Sequence, residues 1–411
     1  MSYRIASAQR RDSSLIALQR HEKSLSEARE RLISGRRVDK PSDDPAAAAR
    51  AERARVNQTR SEGLLRSMEA SRTAMSLAES TMGGAIELLQ GARETIVGAG
   101  NGIYNAADRT SLAESLKHVR GELLRLANTT DTGDHYIFGG QAAERVPFVD
   151  TAGGVVFNGV AESAQGSLDE ALPLTLDGEA AWLGARSGNG VFKTAPGNLG
   201  ASSTAWIGAG SVSNPSALEL GAGESYALTF SDSSTYTVTR IAADGSSSPY
   251  PDAAGSTRAY VSGQAITALP GMSFAISGTP QAGDVFTVEP STEDLSVFDA
   301  LDKVISVLSD KSAGSGALDQ ARNSGLRDID QVLSNLQMMR SRSGDTLNRL
   351  DGFESRTDSR IEADQVIRSK AEDLDLAEAI SDLSTKETVY QAALKSYATM
   401  GKMSLFDYIG T

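Results

Sequence analysis

The chain has 411 residues, 40% of them hydrophobic but only 5% aromatic, with 39 glycines and no cysteine. This length supports two or three domains, and the lack of cysteine excludes disulfides, Cys-ligated zinc, iron–sulfur clusters and thiol catalysis. Forty basic against 53 acidic residues leave a net charge of −13, which argues against a nucleic-acid surface, and three histidines (His21, His118, His135) are too few for a His-rich metal centre.

From Met1 to Ser24 there is no apolar run of the kind a cleaved secretory signal needs. No stretch approaches the roughly 18–20 apolar residues that cross a bilayer, so membrane insertion is not expected. These features alone read as cytosolic, and a protein exported by a route that leaves its N-terminus uncleaved has the same signature. Leu18, Leu25 and Leu32 lie one heptad apart, with Ala8 and Leu15 on an adjoining position. Glu22 and Arg29 fall in that register and weaken it. Asp43 and Asp44 follow Pro41 and Ser42 and precede Pro45. Ser42 or Asp44 as N-cap, with Pro45 at the first helical position, accounts for this cluster. Arg36 and Arg37 read as a solvated linker in preference to an anion site. Residues 47–100 and 105–130 carry amphipathic helical patterns (Met68, Met75, Leu77, Met82, Ile86, Leu89), with Gly98–Asn105 as the turn between them.

Nine of the 11 prolines lie between Pro147 and Pro290. Interior proline costs a helix ~3 kcal/mol, so the flanks are free to be helical and the middle is not. From Val146 to Pro290 there are four basic and 13 acidic residues, which marks a separately composed domain. Its alternating runs predict strands at Glu224–Phe230, Thr235–Ile241, Met272–Ile276 and Asp284–Val288, the last two forming a hairpin across Gly278–Gly283. A second hairpin is expected from Tyr136–Phe138 to Val155–Phe157 across Gly153 and Gly154, and Ser187–Pro215 is expected to be irregular.

Beyond the middle, Leu326, Ile329, Leu333 and Leu336 step 3-4-3, and Leu347 and Leu350 continue in phase. Leu376, Ile380, Leu383, Tyr390, Leu394 and Tyr397 hold one a/d register, interrupted by Glu387. The stripes at 50–130 and 300–350 suit an intramolecular bundle. Those at 1–35 and 365–408 are narrow, and such ends gain most from other subunits, so self-assembly with both termini at a shared axis is expected. Catalytic motifs do not stand out. There is no nucleophile elbow, P-loop, dinucleotide fingerprint or zincin helix, and His118 with Glu122 reads as a surface i,i+4 pair.

Leu32 to Pro45, which includes Ser34, Gly35, Arg36, Pro41, Ser42, Asp43, Asp44 and Pro45, resembles the turn after the first helix of bacterial flagellins and their relatives. Its Pro-Ser-Asp-Asp-Pro form, the Tyr136–Gln141 and Gly153–Gly159 segments, and the C-terminal Asp375–Ile409 are similar to the hook-associated protein 3 branch of that family. The resemblance implies a mainly α fold with an inserted β domain. Residues 1–45 and 360–411 would be axial coiled-coil helices, 46–163 and 292–359 a helical bundle with a β-hairpin, and 164–291 an outer β-rich domain. It also implies an extracellular junction adaptor between hook and filament, exported without a cleaved signal peptide. Its partners would be the first hook-associated protein, flagellin, further copies of itself and a cytosolic flagellar export chaperone. Leu15, Leu18, Leu25, Leu32, Leu376, Ile380, Leu383, Tyr390, Leu394 and Tyr397 are the expected subunit-interface residues, with no catalytic, cofactor or metal residues. The alternative within the same fold is a filament-forming flagellin.

Overall fold

The computed structural model describes residues 2–100, 104–166, 172–200, 202–251 and 256–409, with side chains between residues 12 and 399. The described residues form two compact units, one of 1–66 with 352–411 and one of 67–351. In the first unit lie α1 (Ser2–Ser34) and α6 (Leu376–Ile409), which pack on each other, together with the start of α2 (Pro45–Ala99) and the end of α5 (Ser315–Glu372). The absence of proline after Pro290 lets α5 and α6 run long, as the proline distribution predicts.

The second unit has two cores. Its helical core is built from α2, α3 (Ala106–Ala127), α4 (Val297–Ser309) and α5. The expected stripes supply it: Met82, Leu89, Ile329 and Leu336 are fully buried and Leu350 nearly so. Asn105 caps α3, its side chain accepting from the Ala107 and Asp108 amides while the Asp108 carboxylate accepts from the Asn105 amide. This reciprocal capping box fixes where the helix starts. Of the expected Gly98–Asn105 turn, residues 101–103 lie outside the described residues.

At the centre of this core is an aromatic cluster. Trp182 meets Phe138 edge-on with ring centroids 5.4 Å apart and stacks on Phe298 at 6.4 Å, with Phe148 at 6.3 Å. Trp182 lies on a short helical turn (Glu179–Leu183) within the proline-rich middle, yet it and Ala181 and Ala185 belong to the helical core. Asn335 of α5 holds that turn, donating to the carbonyls of Ala180 at 2.9 Å and Ala181 at 3.0 Å. Arg120 of α3 forms ion pairs with Asp150 at 2.6 Å and Asp302 at 2.7 Å. Its guanidinium holds the Asp150 carboxyl below the usual carboxylate range.

The hairpin is real, but its first strand is not the expected one. β1 (Phe148–Thr151) pairs with β2 (Gly154–Phe157), whereas Tyr136–Phe138 forms a tight irregular turn. There the Ile137 amide donates to the Thr129 carbonyl, and Phe138 is fully buried. Gly140 makes this turn possible: its φ is +61°, and a Cβ would stand 1.8 Å from the Val160 carbonyl oxygen.

The β core joins two sheets. β3 (Phe192–Pro196), β6 (Ser225–Phe230), β7 (Thr235–Ile241), β8 (Ser247–Tyr250), β9 (Arg258–Ala259) and β12 (Val285–Pro290) form a six-stranded sheet in the order β3-β12-β6-β7-β8, with β9 beside β7. β4 (Trp206–Ile207), β5 (Ser211–Val212), β10 (Ala265–Ile266) and β11 (Met272–Ser277) make a smaller one. Tyr226, Leu228, Phe286 and Val288 of the first sheet share one core with Ile207, Met272, Phe274 and Ile276 of the second. Both expected strands form, and β6 and β7 pair with each other, Phe230 opposite Tyr236. Two expectations are corrected. β11 and β12 do not pair with each other but belong to different sheets. The buried Asp284 carboxylate fixes the crossing by accepting from the Gly200 amide at 2.7 Å, Ser203 Oγ at 2.6 Å and the Gln281 amide at 2.7 Å. The supposedly irregular Ser187–Pro215 contains β3, β4 and β5, anchored by the fully buried Phe192.

Since Trp182 sits in the helical core, excising the β core should be tolerated only when the cut spares it. A chain with about 190–289 replaced by a short Gly/Ser linker should retain cooperative unfolding of its helices by circular dichroism. Starting the excision at residue 165 should lower stability by at least the ~3–5 kcal/mol of a Trp truncation. Equal melting of the two deletions would contradict this.

Candidate functional site: the clasped terminal helices

The turn that follows α1 is held by its own side chains and by the far end of the chain. Ser34 ends α1, its hydroxyl donating to the Arg31 carbonyl at 3.2 Å and accepting from the Arg36 amide. Gly35, at φ +68°, takes the left-handed conformation common just past a helix C-terminus. Next, a turn closes over Pro41 and Ser42, the Asp43 amide donating to the Lys40 carbonyl at 2.9 Å. The Asp43 carboxylate accepts from the amides of Lys40 at 3.0 Å and Asp39 at 3.2 Å. Asp44, not Ser42, caps α2: its carboxylate accepts from the Ala47 amide at 3.0 Å, with Pro45 at the first helical position. The Lys40 amide on Asp43 and the Ala47 amide on Asp44 draw both carboxyls below the ordinary aspartate value, and Arg37 adds to the effect on Asp44.

Residues 35–38 are clasped to the corner between α5 and α6. The Arg37 amide donates to the Glu372 carbonyl at 2.6 Å and the Leu374 amide to the Gly35 carbonyl at 3.0 Å. Arg36 bridges to Asp373 in antiparallel fashion. The Arg37 guanidinium donates to the Ala371 carbonyl at 2.8 Å and pairs with Asp44 at 3.4 Å. Arg37 is therefore a structural clamp and not a solvated linker residue. Val38, buried, packs with Ala47, Ala51 and Ala371; small side chains let the two helices and the turn approach closely. Further along, Arg368 of α5 donates to Gln58 of α2 at 3.2 Å.

Beyond this clasp α1 and α6 pair, in a register that differs from the expected one. On α1 the partly or fully covered positions are Ser14, Leu18, His21, Leu25, Ala28 and Leu32, a 4-3 repeat, with Ser24 and Arg31 beside it; Leu25 is at 6% exposure and Ala28 at 8%. Leu18, Leu25 and Leu32 thus hold, while Leu15 is 41% exposed. Ala8 lies outside the residues with described side chains. On α6 the covered positions are Ala379, Leu383, Lys386, Glu387, Tyr390 and Ala393. Leu376 and Ile380 at 57% exposure, Leu394 at 40% and Tyr397 at 37% remain open. Two of the three charges that interrupt the sequence registers, Arg29 and Glu387, are partners, with Arg29 Nη2 donating to Glu387 Oε1 at 2.7 Å. Leu376 and Tyr397 lie one heptad before Leu383 and one after Tyr390, and Ile380 and Leu394 flank that seam in the heptad position of Glu387, so the apolar stripe of α6 is wider and longer than the part α1 covers. The covered small residues were missed because Ala, Ser and Lys carry no apolar signal; the 4-3 spacing of Ala28 and Ala393 with the leucines is the trace that was available.

Elsewhere, Glu122 pairs with Arg125, not with His118. Among the described residues no group of three or more His, Asp or Glu side chains could hold a metal ion, and no helix is long and apolar enough to cross a membrane.

Residues 7–143, about a third of the chain, match the bacterial flagellin N-terminal helical region. The chain is similar to flagellar hook-associated protein 3. It is 35% identical to the Salmonella typhimurium protein over 147 residues, 36% of this chain and 46% of the relative. Against the Escherichia coli protein it is 38% identical over 140 residues, 34% and 44% of the two chains. The matched segment thus spans less than half the length of these curated relatives. Flagellin 1 of Proteus mirabilis is 32% identical over 137 residues, 33% of this chain and 37% of that one. The crystal structure of the flagellar junction protein FlgL from Legionella pneumophila superposes with a TM-score of 0.61 at 28% identity, covering 69% of this chain and 93% of that one. FlgL of Xanthomonas campestris, at 24% identity with a TM-score of 0.64, covers 74% and 99% and bears on the fold alone. The resemblance to hook-associated protein 3 and the mainly α fold with an inserted β domain both hold.

The depressed carboxyls give the turn a pH dependence of definite sign. A carboxyl whose folded pKa is lowered stabilises the fold above its unfolded pKa, near 4, and that contribution disappears as pH falls through the lower folded value. The Ala47 and Lys40 amides should therefore lose hydrogen-exchange protection below about pH 4, earlier than amides within α2. Asp44→Asn, which keeps the cap but not the charge, should remove much of this acid sensitivity; an unchanged acid profile would contradict the assignment.

Proposed function

We propose that the protein is a structural component of the bacterial flagellum, a junction adaptor that connects the hook to the flagellin filament and so supports motility. Residues 1–45 and 360–411 form the axial core, 46–163 and 292–359 the helical layer around it, and 164–291 the outer β domain, apart from the Trp182 turn, which packs in the helical core. It meets the first hook-associated protein on one side and flagellin on the other, and its copies form a ring. It reaches the outside of the cell through the flagellar channel with its N-terminus uncleaved, escorted in the cytosol by an export chaperone. Its work is mechanical, not catalytic. The observation that carries this reading is that α1 covers only part of the apolar stripe of α6, leaving Leu376, Ile380, Leu394 and Tyr397 open. A paired-helix rod that leaves such a stripe in water gains from burying it against further copies. The likeness to hook-associated protein 3 supports a junction position for that assembly.

The match to a flagellin favours a second reading, a filament-forming subunit. Copy number separates the two: a junction protein is scarce in sheared flagella, whereas a flagellin dominates them. Micrographs of a deletion strain should show hooks without filaments and flagellin in the medium.

Leu394 gives the residue-level test. Burying it against a neighbouring subunit is worth roughly 1.5–3 kcal/mol, and a carboxylate there adds a desolvation penalty. Because Leu394 is open to water in the single chain, Leu394→Asp should leave the melting temperature of the monomer unchanged. It should abolish junction formation and release flagellin into the medium, while Lys395→Ser is tolerated. A fall of many degrees in monomer melting would place residue 394 in an intramolecular core.

A further inference from the structure

The acidic middle segment has four basic residues, and three of them face a carboxylate. Arg186 pairs with Glu293 at 2.7 Å, Arg240 with Glu224 at 2.9 Å, and Lys193 lies 4.0 Å from Glu289. Arg258 has no such partner among the described residues. Its Nε is shut off from water and meets no hydrogen-bond acceptor. The side chain as a whole is half-buried, and its Nη groups are not shut off, so a ligand can reach the charge through them.

The surroundings of Arg258 suit a ligand. On β9 it stands directly opposite Tyr236 of β7, and with Tyr236, Tyr260, Gln264 and Thr267 it lines a cavity of about 170 Å³. The wall formed by β10 belongs to the smaller sheet, so the cavity lies where the two sheets meet and is framed on both sides by paired strands. Burial pushes the Tyr236 hydroxyl above its ordinary pKa, and the Arg258 charge pulls it the other way, so the two groups share one local field. At ~30 Å³ per water the space equals about five or six waters. That space suits a phosphate or a single sugar acid, and its mouth is open to solvent, with Gln264 and Thr267 exposed.

We propose that this cavity binds an oxyanion, the carboxylate or phosphate group of a small hydroxylated molecule, with Arg258 as its charged anchor. The planar guanidinium presents a fork of donors that matches a carboxylate or phosphate edge, while Gln264 and Thr267 supply neutral groups for hydroxyls. The nine-charge acidic surplus of the segment gives the domain no other basic residue free of a carboxylate partner among those described. This site stands apart from the terminal helices and does not depend on the junction reading.

The test uses the full chain, titrated separately at low salt with inorganic phosphate, glucuronate and uncharged glucose by calorimetry. Saturable binding of phosphate or glucuronate, with no binding of glucose, is the expected result, and the tighter of the two names the kind of oxyanion. Arg258→Gln should weaken that binding at least about ten-fold, as expected when a charged fork is lost. Arg258→Lys, which keeps the charge without the fork, should fall between. Melting curves of ligand-free Arg258→Gln should match the parent, which separates loss of the anchor from loss of the fold; if that variant does not fold, Arg258→Lys carries the comparison. Absence of saturable binding by both anions in the millimolar range, or binding unchanged by either substitution, would overturn the proposal.

Discussion

The pairing of the two chain ends rests on a short stretch of backbone. The Arg37 amide on the Glu372 carbonyl and the Leu374 amide on the Gly35 carbonyl join segments from opposite ends of the sequence. Closing so long a loop costs entropy, though the cost grows only slowly with length, and two hydrogen bonds could not meet it alone. What makes the contact persist is that four helix ends converge there. Val38, Ala47, Ala51 and Ala371 exclude water from the junction, and the Arg37 guanidinium spans it to Ala371 and Asp44. With this corner fixed, α1 and α6 leave it side by side, and the same turn caps α2.

From that constraint follows a partial cover of α6. Ala379, Leu383, Tyr390 and Ala393 are covered, whereas Ile380 and Leu394 on the flank of the same stripe, and Leu376 a heptad before Leu383, stay open. With Ala379 and Ala393 among the covered positions the seam buries little area, so the pair by itself is a weak device. The Arg29–Glu387 bridge is exposed on both sides and sets register more than stability. The second unit is the opposite case. Its aromatic cluster around Trp182 and its two-sheet core bury large side chains completely, and this unit needs nothing beyond its own residues to fill its interior.

The broad architecture was legible because it depends on features a sequence states directly. Proline absence marked the long helices, and the alternation of Ser225–Phe230 and Thr235–Ile241 marked two strands. Three things were not legible. Tyr136–Phe138 has the composition of a strand, but Tyr136, Gly139 and Gly140 make only isolated bridges to Thr130, Asp177 and Val160, and tertiary packing claims Phe138. β11 and β12 look like hairpin arms, and only the buried Asp284 sends them to different sheets. In the terminal helices the heptads located the apolar stripe of α6 correctly but not which part of it α1 would cover. The covered seam, Ala379, Leu383, Lys386, Tyr390 and Ala393, lies to one side of that stripe and runs through alanines, which pattern analysis passes over.

The claim on which the rest turns is that α1 covers one side of the apolar stripe of α6 and neighbouring copies cover the rest. The absence of cysteine from the chain allows a direct measurement by site-specific cross-linking with a short bismaleimide. Cysteines at Arg29 and Glu387 should join within one chain, in the monomer and in assembled flagella alike. A single cysteine at Ile380 should join only chain to chain, and only in the assembly. Chain-to-chain products from the 29–387 pair in the monomer, or no product from position 380 in assembled material, would contradict the account.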